Sequence, residues 1–163
     1  MRAYTAKPVE KDKLELILEA GRVAPTGANR QPQRLIVVQG EEGLNKVAMA
    51  ANIRNAPVAI IICSDVDEVW ERPFDGKKLT DIDASIVTDH MMLAATELEL
   101  GSLWICHFKP EIIRSEFELP LNLEPVNILL LGYADTEKEP ERSAARHSTE
   151  RKALAETVWF EKI

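Results

Sequence analysis

The chain has 163 residues, of which 45% are hydrophobic and 29% charged, so its composition is that of an ordinary globular protein with room for one substantial core. Its formal net charge of −7 argues against a nucleic-acid partner, because binding phosphates needs a concentrated basic surface. No apolar run approaches the length needed to cross a bilayer, and residues 1–9 lack the apolar stretch of a secretory signal, so we expect no membrane partner and a cytoplasmic location.

The first part of the chain predicts a helix, a loop and a buried strand. Apolar residues recur at helical spacing over residues 9–23, and a β-branched run at 35–38 predicts a strand. The loop between them, A-P-T-G-A-N-R-Q-P at 24–32, offers the hydroxyl and amide groups of Thr26, Asn29 and Gln31, and Gly27 lets a backbone approach a bulky group. The residues alone fit either a ligand-binding loop or an ordinary helix-to-strand connection.

Helices and apolar strands continue to alternate along the chain. The pattern predicts helices at 42–51, 80–100 and 111–117 and strands at 58–63, 103–106 and 127–131. The loop at 65–78 carries Trp70 and Phe74, which we expect to pack on the body, although a second subunit or a bound ligand would also cover them. Four strands among helices predict an α/β or α+β domain with a mostly buried sheet.

Cysteine and histidine show no pattern typical of a disulfide framework or a metal site. Cys63 and Cys106 lie in or beside apolar strand-like runs and form no C-x-x-C pair, and we expect Cys63 to be a buried structural thiol. The histidines at positions 90, 107 and 147 lack metal-ligand spacing, so no metal site is predicted.

The composition changes after Asp135. Residues 136–150 form a charged segment without apolar periodicity, and Trp159 and Phe160 follow near the end, although they are too apolar to leave in water. They could fold back onto the body or reach across to a partner subunit, and the long polar segment favours the reaching arm. We therefore expect one domain over residues 1–163, with 136–163 as linker and C-terminal arm.

Four segments, in this order, resemble the nitroreductase family of FMN-dependent oxidoreductases. The loop at 24–32 is similar to the family's A-P-S-x-x-N-x-Q-P signature, and the other segments are residues 55–63, 83–105 and 130–133, with 151–154 further on. The resemblance implies an α+β fold with a central, mostly antiparallel sheet flanked by helices. It also implies a homodimer with exchanged C-terminal arms, with the helix at 80–100 at the interface and FMN bound between the subunits.

The resemblance also implies which residues bind FMN. Basic residues from both ends of the chain bind its phosphate through charge-assisted contacts, and the matching positions are Arg2, Arg151 and Lys152. The segment that reaches the flavin from the neighbouring subunit matches Pro25, Thr26, Gly27 and Asn29, with Gln31 close to the same pocket. The loop that lines the flavin ring matches Trp104, Ile105, Cys106 and His107. His107 is either a side chain at the pocket rim or a proton donor.

The activity implied by the resemblance is the transfer of reducing equivalents from NAD(P)H to small electron-poor acceptors, such as nitroaromatics or quinones, by a ping-pong mechanism. The flavin carries the chemistry, so no catalytic side chain is required. The R-R-S segment that precedes the position of Arg2 in the family is absent, so we expect either weaker phosphate binding or a longer natural chain. The alternatives are a non-catalytic FMN-binding dimer and a dehalogenase or dehydrogenase of the same fold.

Overall fold

The computed structural model describes residues 1–138 and 147–162 of the chain. The elements follow in the order α1 (Lys11–Val23), β1 (Gln33–Val38), α2 (Glu41–Ala50), β2 (Val58–Asp65), α3 (Thr80–Glu97), β3 (Gly101–Ile105), α4 (Pro110–Glu116), β4 (Leu123–Gly132) and α5 (His147–Glu150). Every predicted helix and strand is present, with ends that differ by a few residues. Among the described helices, none is both long and apolar enough to cross a membrane.

The strands form one antiparallel sheet in the order β1-β2-β4-β3. The two central strands are β2 and β4, and every residue of β2 is buried, as expected for an apolar run with both faces covered. The edge strands are β1 and β3, so the segments next to these two strands lie at opposite edges of the sheet. The predicted α+β class is confirmed.

The last strand begins earlier than its apolar run indicates. It starts at Leu123 rather than at residue 127, and it includes Pro125. The pairing with β2 shifts at this point, because Ile62 pairs with Asn127 whereas Cys63 pairs with Pro125. Proline has no N–H to donate to a sheet and is tolerated at such a bulge, which is why the sequence pattern breaks there.

Helices cover both faces of the sheet. Alternate residues of β2 face opposite sides, so Ile60 and Ile62 pack with α1 and α3 whereas Ile61 and Cys63 pack with α2 and α4. The predicted burial of Cys63 is confirmed, and burial raises the pKa of this thiol to about 11. The chain therefore has an apolar core on each side of one sheet.

The aromatic residues of the loop after β2 behave differently from each other. Trp70 is half-buried and lies against Gly27, whereas Phe74 is 93% exposed. The expectation that both residues pack on the body is therefore wrong for Phe74. The reason is a tight turn, in which Arg72 and Asp75 form an ion pair and Gly76 has a positive φ, so Phe74 is held at its tip.

Residues 151–162, near the C-terminus, are exposed in a single copy of the chain. Much of the predicted polar linker, residues 139–146, lies outside the described residues. Beyond it, Trp159 is 51% exposed and Phe160 is 88% exposed. Folding back onto the body is therefore contradicted for these two side chains, and their crossing to a partner subunit stays a prediction.

Candidate functional site

An open cleft of about 230 Å³ lies beside the end of β3. Its walls are formed by Arg2, Asn52 and Arg54 together with the run Leu103, Trp104, Ile105, Cys106 and His107. The structure thus brings together Arg2 and the predicted flavin-lining residues, which are about a hundred positions apart in the chain. Cys106 and His107 are exposed at this cleft, so the structure places His107 at its rim.

The N-terminal segment is held against the sheet, and this places Arg2 at the cleft. Tyr4 is 4% exposed and pairs with Ala134 just after β4. The N–H of Thr5 donates to the Tyr133 carbonyl oxygen at 2.9 Å, and the N–H of Asp135 donates to the Ala3 carbonyl oxygen at 3.2 Å. The first residues are thereby fixed as an added edge of the sheet.

Arg54 is placed by a strained turn between α2 and β2. The Asn52 side-chain oxygen accepts the N–H of Arg54 at 3.1 Å. Arg54 and Asn55 have φ values of 56° and 58°, in the left-handed region that non-glycine residues rarely adopt. A strained turn that presents an arginine to a cleft is a feature expected of a binding site.

The charge of this cleft suits an anionic ligand. Arg2 and Arg54 place two guanidinium groups there although the chain has a net charge of −7. Among the described residues, neither guanidinium lies within 4.0 Å of a carboxylate oxygen. Their positive charges are therefore available to phosphate oxygens or to another anion.

Unpaired donors add to this chemistry. The indole N–H of Trp104 is buried without a hydrogen-bond partner in the described part of the chain. The backbone N–H groups of Cys106 and His107 also donate to no described group. The Trp104 indole N–H is enclosed by the protein, whereas the backbone N–H groups of the exposed residues Cys106 and His107 are candidates for hydrogen bonds to a ligand bound in the cleft.

The loop that carries the predicted signature lies at the other edge of the sheet, directly before β1. It contains a short 3₁₀ turn, Gly27–Asn29, and the Thr26 hydroxyl accepts the N–H of Gln31 at 3.0 Å. The side chains of Pro25, Asn29 and Gln31 are exposed. The loop thus contains hydrogen bonds of its own and directs the side chains of Asn29 and Gln31 to solvent.

Within one chain, the loop and the cleft do not form one site. Because β2 and β4 lie between the edge strands, the two edges are separated by three strand spacings, or about 14 Å. Arg151 and Lys152 are also exposed and do not line the cleft. Of the predicted residues, Arg2, Trp104, Ile105, Cys106 and His107 are therefore the ones brought together at this cleft in a single copy.

Asn52 and Arg54 were missed by sequence reasoning. The run N-I-R-N-A-P at 52–57 contains the signal, since an asparagine two residues before an R-N pair favours a turn closed by its side chain.

Among the described residues, no group of histidine, cysteine, aspartate and glutamate is arranged to hold a metal ion.

A larger cleft, of about 530 Å³, lies before the start of β2, between the N-terminal segment and α2. Glu41 is its one charged lining residue, and the others include Pro8, Val9 and Leu44. Despite its size it offers no cation to an anionic ligand, so the smaller cleft with two arginines is the better candidate site.

Comparison with sequences of known proteins identifies the family. The model of the nitroreductase family matches residues 1–55 and 48–133. A protein of Archaeoglobus fulgidus assigned as an NADH dehydrogenase/NAD(P)H nitroreductase is 31% identical over 147 residues, covering 85% of this chain and 82% of that protein. The FMN reductase (NAD(P)H) of Bacillus subtilis is 30% identical over 152 residues, covering 82% of this chain and 61% of that protein.

Solved structures agree with the sequence comparison. A nitroreductase family protein from Clostridium difficile 630 superposes with a TM-score of 0.95 at 59% identity, and the match covers 99% of this chain and 92% of that one. An FMN-dependent nitroreductase from Clostridium difficile R20291 superposes with a TM-score of 0.78 at 28% identity, covering 100% and 94%. This chain therefore belongs to the nitroreductase family.

Proposed function

We propose that this protein is an FMN-dependent oxidoreductase that transfers reducing equivalents from NAD(P)H to small, planar, electron-poor acceptors of the nitroaromatic or quinone type. The observation that carries the proposal is the convergence of Arg2 and Arg54 with the segment Ile105–His107 in one cleft. FMN is an anion with a planar ring system, and when bound it supplies the groups that accept and donate hydride. The chain's own task is to bind, orient and tune this cofactor.

The two arginines have different roles in this proposal. Arg2 binds the phosphate, as the family resemblance implies, because a guanidinium pairs well with phosphate oxygens. Arg54 supplies the positive charge that favours the anionic reduced form of the ring. The free N–H groups of Cys106 and His107 hydrogen-bond to the ring and hold it in place. His107 lies at the rim and needs no part in the chemistry.

A second copy of the chain completes the site. The loop at the far edge of the sheet, where a single chain cannot use it at the cleft, carries Pro25, Thr26, Gly27, Asn29 and Gln31, of which Pro25, Asn29 and Gln31 are exposed. Ile82 is 41% exposed and Leu93 is 63% exposed on α3, as expected for a helix that packs on a partner. The C-terminal arm, with Arg151 and Lys152, crosses to that partner. The proposed unit is therefore a homodimer with two shared sites.

We also propose a ping-pong mechanism, as the family resemblance implies. The nicotinamide donor and the acceptor would use the same face of the flavin in turn, so the donor would leave before the acceptor binds.

Arg54→Ala tests the proposed site. Because a hydrogen bond to a charged group contributes about 1.5–3 kcal/mol, we expect the Kd for FMN to rise about 10- to 100-fold, measured by quenching of flavin fluorescence. Arg22→Ala is the matched control, since Arg22 lies on α1 in an exposed ion pair with Glu19, away from the cleft. Equal FMN affinity in wild type, control and Arg54→Ala would reject the site. FMN binding without oxidation of NADH or NADPH in the presence of any acceptor would reject the activity.

A further inference from the structure

We propose that Asp83 is a positioning residue for the cofactor: its buried carboxylate holds the backbone of Gly27 and thereby sets the shape of the loop at 25–31 that meets FMN. The proposal rests on the proposed function for the role of that loop. It concerns a residue that lies in the first turn of α3 and does not itself contact the cleft.

The contact between Asp83 and the loop is direct. The N–H of Gly27 donates to Oδ1 of Asp83 at 2.9 Å, although the two residues are 56 positions apart in the chain. Asp83 is only 1% exposed, and its Oδ2 atom has no hydrogen-bond partner among the described residues. Burial raises the pKa of this carboxyl group, and the Gly27 N–H opposes that rise. A carboxylate is unfavourable in such a place, so its hydrogen bond to the loop is a reason for its presence.

Gly27 is confined from other directions as well. A Cβ atom built on Gly27 would lie 2.8 Å from Cδ1 of Leu79 and 3.1 Å from Cβ of Trp70. These neighbours are joined to α3, because the Leu79 N–H donates to the Trp70 carbonyl oxygen at 3.1 Å and the Asp83 N–H donates to the Leu79 carbonyl oxygen at 2.9 Å. The residues at the start of α3 thus enclose the loop at Gly27. Among the described residues, the acceptor for the Gly27 backbone N–H is the Asp83 carboxylate.

The loop needs this external support because its own backbone is strained. Ala28, Asn29 and Gln31 have φ values of 48°, 54° and 53°, which are unfavourable for residues with a side chain. Inside the loop, the N–H groups of Asn29 and Arg30 donate to the carbonyl oxygens of Thr26 and Gly27, and the Gln31 N–H donates to the Thr26 hydroxyl, each at 3.0 Å. These hydrogen bonds all end on Thr26 and Gly27, and Asp83 fixes this pair to α3 through the Gly27 N–H. Loss of the carboxylate should let the strained residues relax, and Asn29 would then leave the orientation in which it meets the cofactor.

Three variants of the full-length protein test this role. Asp83→Ala removes the acceptor, whereas Asp83→Asn keeps a side-chain oxygen that can accept the Gly27 N–H. Asp81→Ala is the matched control, because Asp81 is an exposed acidic residue in the same first turn of α3. Two quantities are measured: hydrogen–deuterium exchange of a peptide that contains residues 25–31 in the cofactor-free protein, and the Kd for FMN.

We expect Asp83→Ala to speed amide exchange in this peptide at least tenfold and to raise the Kd for FMN at least tenfold. Asp83→Asn should stay within threefold of wild type in both measurements, and so should Asp81→Ala. Wild-type behaviour of Asp83→Asn would show that the hydrogen bond to Gly27, and not the negative charge of Asp83, holds the loop. Amide exchange in peptides from the rest of the chain reports any general loss of stability. If Asp83→Ala does not fold, Asp83→Ser replaces it, because a serine hydroxyl tolerates burial but is too short to reach Gly27.

If the peptide that contains residues 25–31 exchanges its amide hydrogens as slowly in Asp83→Ala, or in its replacement Asp83→Ser, as in wild type, the positioning role is overturned. Faster exchange with unchanged FMN affinity would overturn the link between this loop and the cofactor. A wild-type protein that binds no FMN would refute the proposed function instead, and the exchange measurement would still decide whether Asp83 holds the loop.

Discussion

At the scale of single residues, unusual backbone conformations mark both halves of the proposed site. Eight non-glycine residues in the described part of the chain have a positive φ, and five of them lie in the segments 28–31 and 54–55. A left-handed conformation costs an L-residue about 1–2 kcal/mol, so it persists only where neighbouring contacts hold it. Strain gathered in the loop before β1 and in the turn before β2 indicates that these segments are shaped for binding rather than for local stability.

Glu10 should make the stability of the fold sensitive to acid. The Tyr133 hydroxyl, with help from the Lys7 ammonium at 3.1 Å, lowers the pKa of Glu10 from 4.5 to about 2. Because the pKa is lower in the folded chain than in the unfolded chain, the charged carboxylate stabilises the fold fully above pH 4.5, and this contribution is lost as the pH falls towards 2. Glu10→Gln should therefore flatten the fall in the urea midpoint over this range.

The effect will be modest, because Glu10 is exposed and solvent screens its contacts. Glu15→Gln is a suitable control, since Glu15 lies on α1 in an ion pair with Lys11 and makes no contact with Tyr133. If Glu10→Gln and wild type lose stability in parallel from about pH 5 to pH 2, this account of the acid sensitivity is wrong.

The loop at 24–32 could be predicted from the sequence because its turn-forming, amide and hydroxyl residues are adjacent. Asn52 and Arg54 were missed, because the turn signal in residues 52–57 leaves no periodicity and does not show that this turn lies beside the end of β3. Asp83 was missed for a different reason: an acidic residue in the first turn of a helix is favourable there without any further role. Only the fold brings it within 2.9 Å of Gly27.

At the scale of elements, apolar periodicity predicted α1 to α4 and β1 to β4, because each buries one face or both faces against the sheet. The pattern did not predict the four-residue helix α5, which lies in the segment expected to be a polar linker. It failed where local chemistry overrides the pattern. The apolar pattern missed the first residues of β4, because Pro125 lies at a bulge in this strand. It also did not predict that the turn around Phe74 exposes this aromatic side chain to solvent. Apolar periodicity also cannot predict the strand order β1-β2-β4-β3. This order places the loop at 24–32 and the cleft at opposite edges of the sheet.

Gly132, the last residue of β4, should tolerate no side chain. A Cβ atom there would lie 2.6 Å from Cδ of Pro57 and 2.9 Å from Cδ1 of Tyr4, and both rings are rigid. We expect Gly132→Ala to lower the free energy of unfolding by about 1–3 kcal/mol, measured by thermal unfolding. It should also weaken FMN binding, because Tyr4 anchors the segment that carries Arg2.

Gly40→Ala provides the comparison, since a Cβ atom at Gly40 meets nothing within 4 Å. Gly40 is the N-cap residue of α2, where alanine is less favourable than glycine, so we expect Gly40→Ala to lower the free energy of unfolding by less than about 1 kcal/mol. An equal melting temperature for the two variants would show that the end of β4 is more open than the distances indicate.

At the scale of the whole molecule, the proposed site is a property of two chains. In the homodimer that we propose, one copy would supply the cleft with its arginines, and the other would supply the loop at 25–31. This arrangement would explain why a single copy leaves polar loop residues, apolar side chains of α3 and the aromatic residues of the arm exposed. The sequence could predict such sharing only through the family resemblance, because no composition or spacing within one chain specifies which surfaces meet.

Removal of residues 153–163 should weaken the dimer and release FMN. Leu154, Trp159 and Phe160 are exposed on a single copy, so the free energy of burying them is available to a partner. Analytical ultracentrifugation should show a shift towards the monomer, and the desalted protein should lose flavin. Removal of residues 161–163 alone keeps these apolar side chains and serves as the control. An unchanged sedimentation mass and an unchanged flavin content in the longer deletion would contradict an arm that crosses between subunits.

The visible absorption spectrum of the desalted, FMN-reconstituted protein tests the central claim most directly, when it is followed by anaerobic addition of NADH or NADPH and then of a quinone. The account predicts flavin absorption close to equimolar with the chain, bleached by the nicotinamide donor and restored by the quinone. A protein that stays colourless after reconstitution, or a bound flavin that neither donor bleaches, would contradict it.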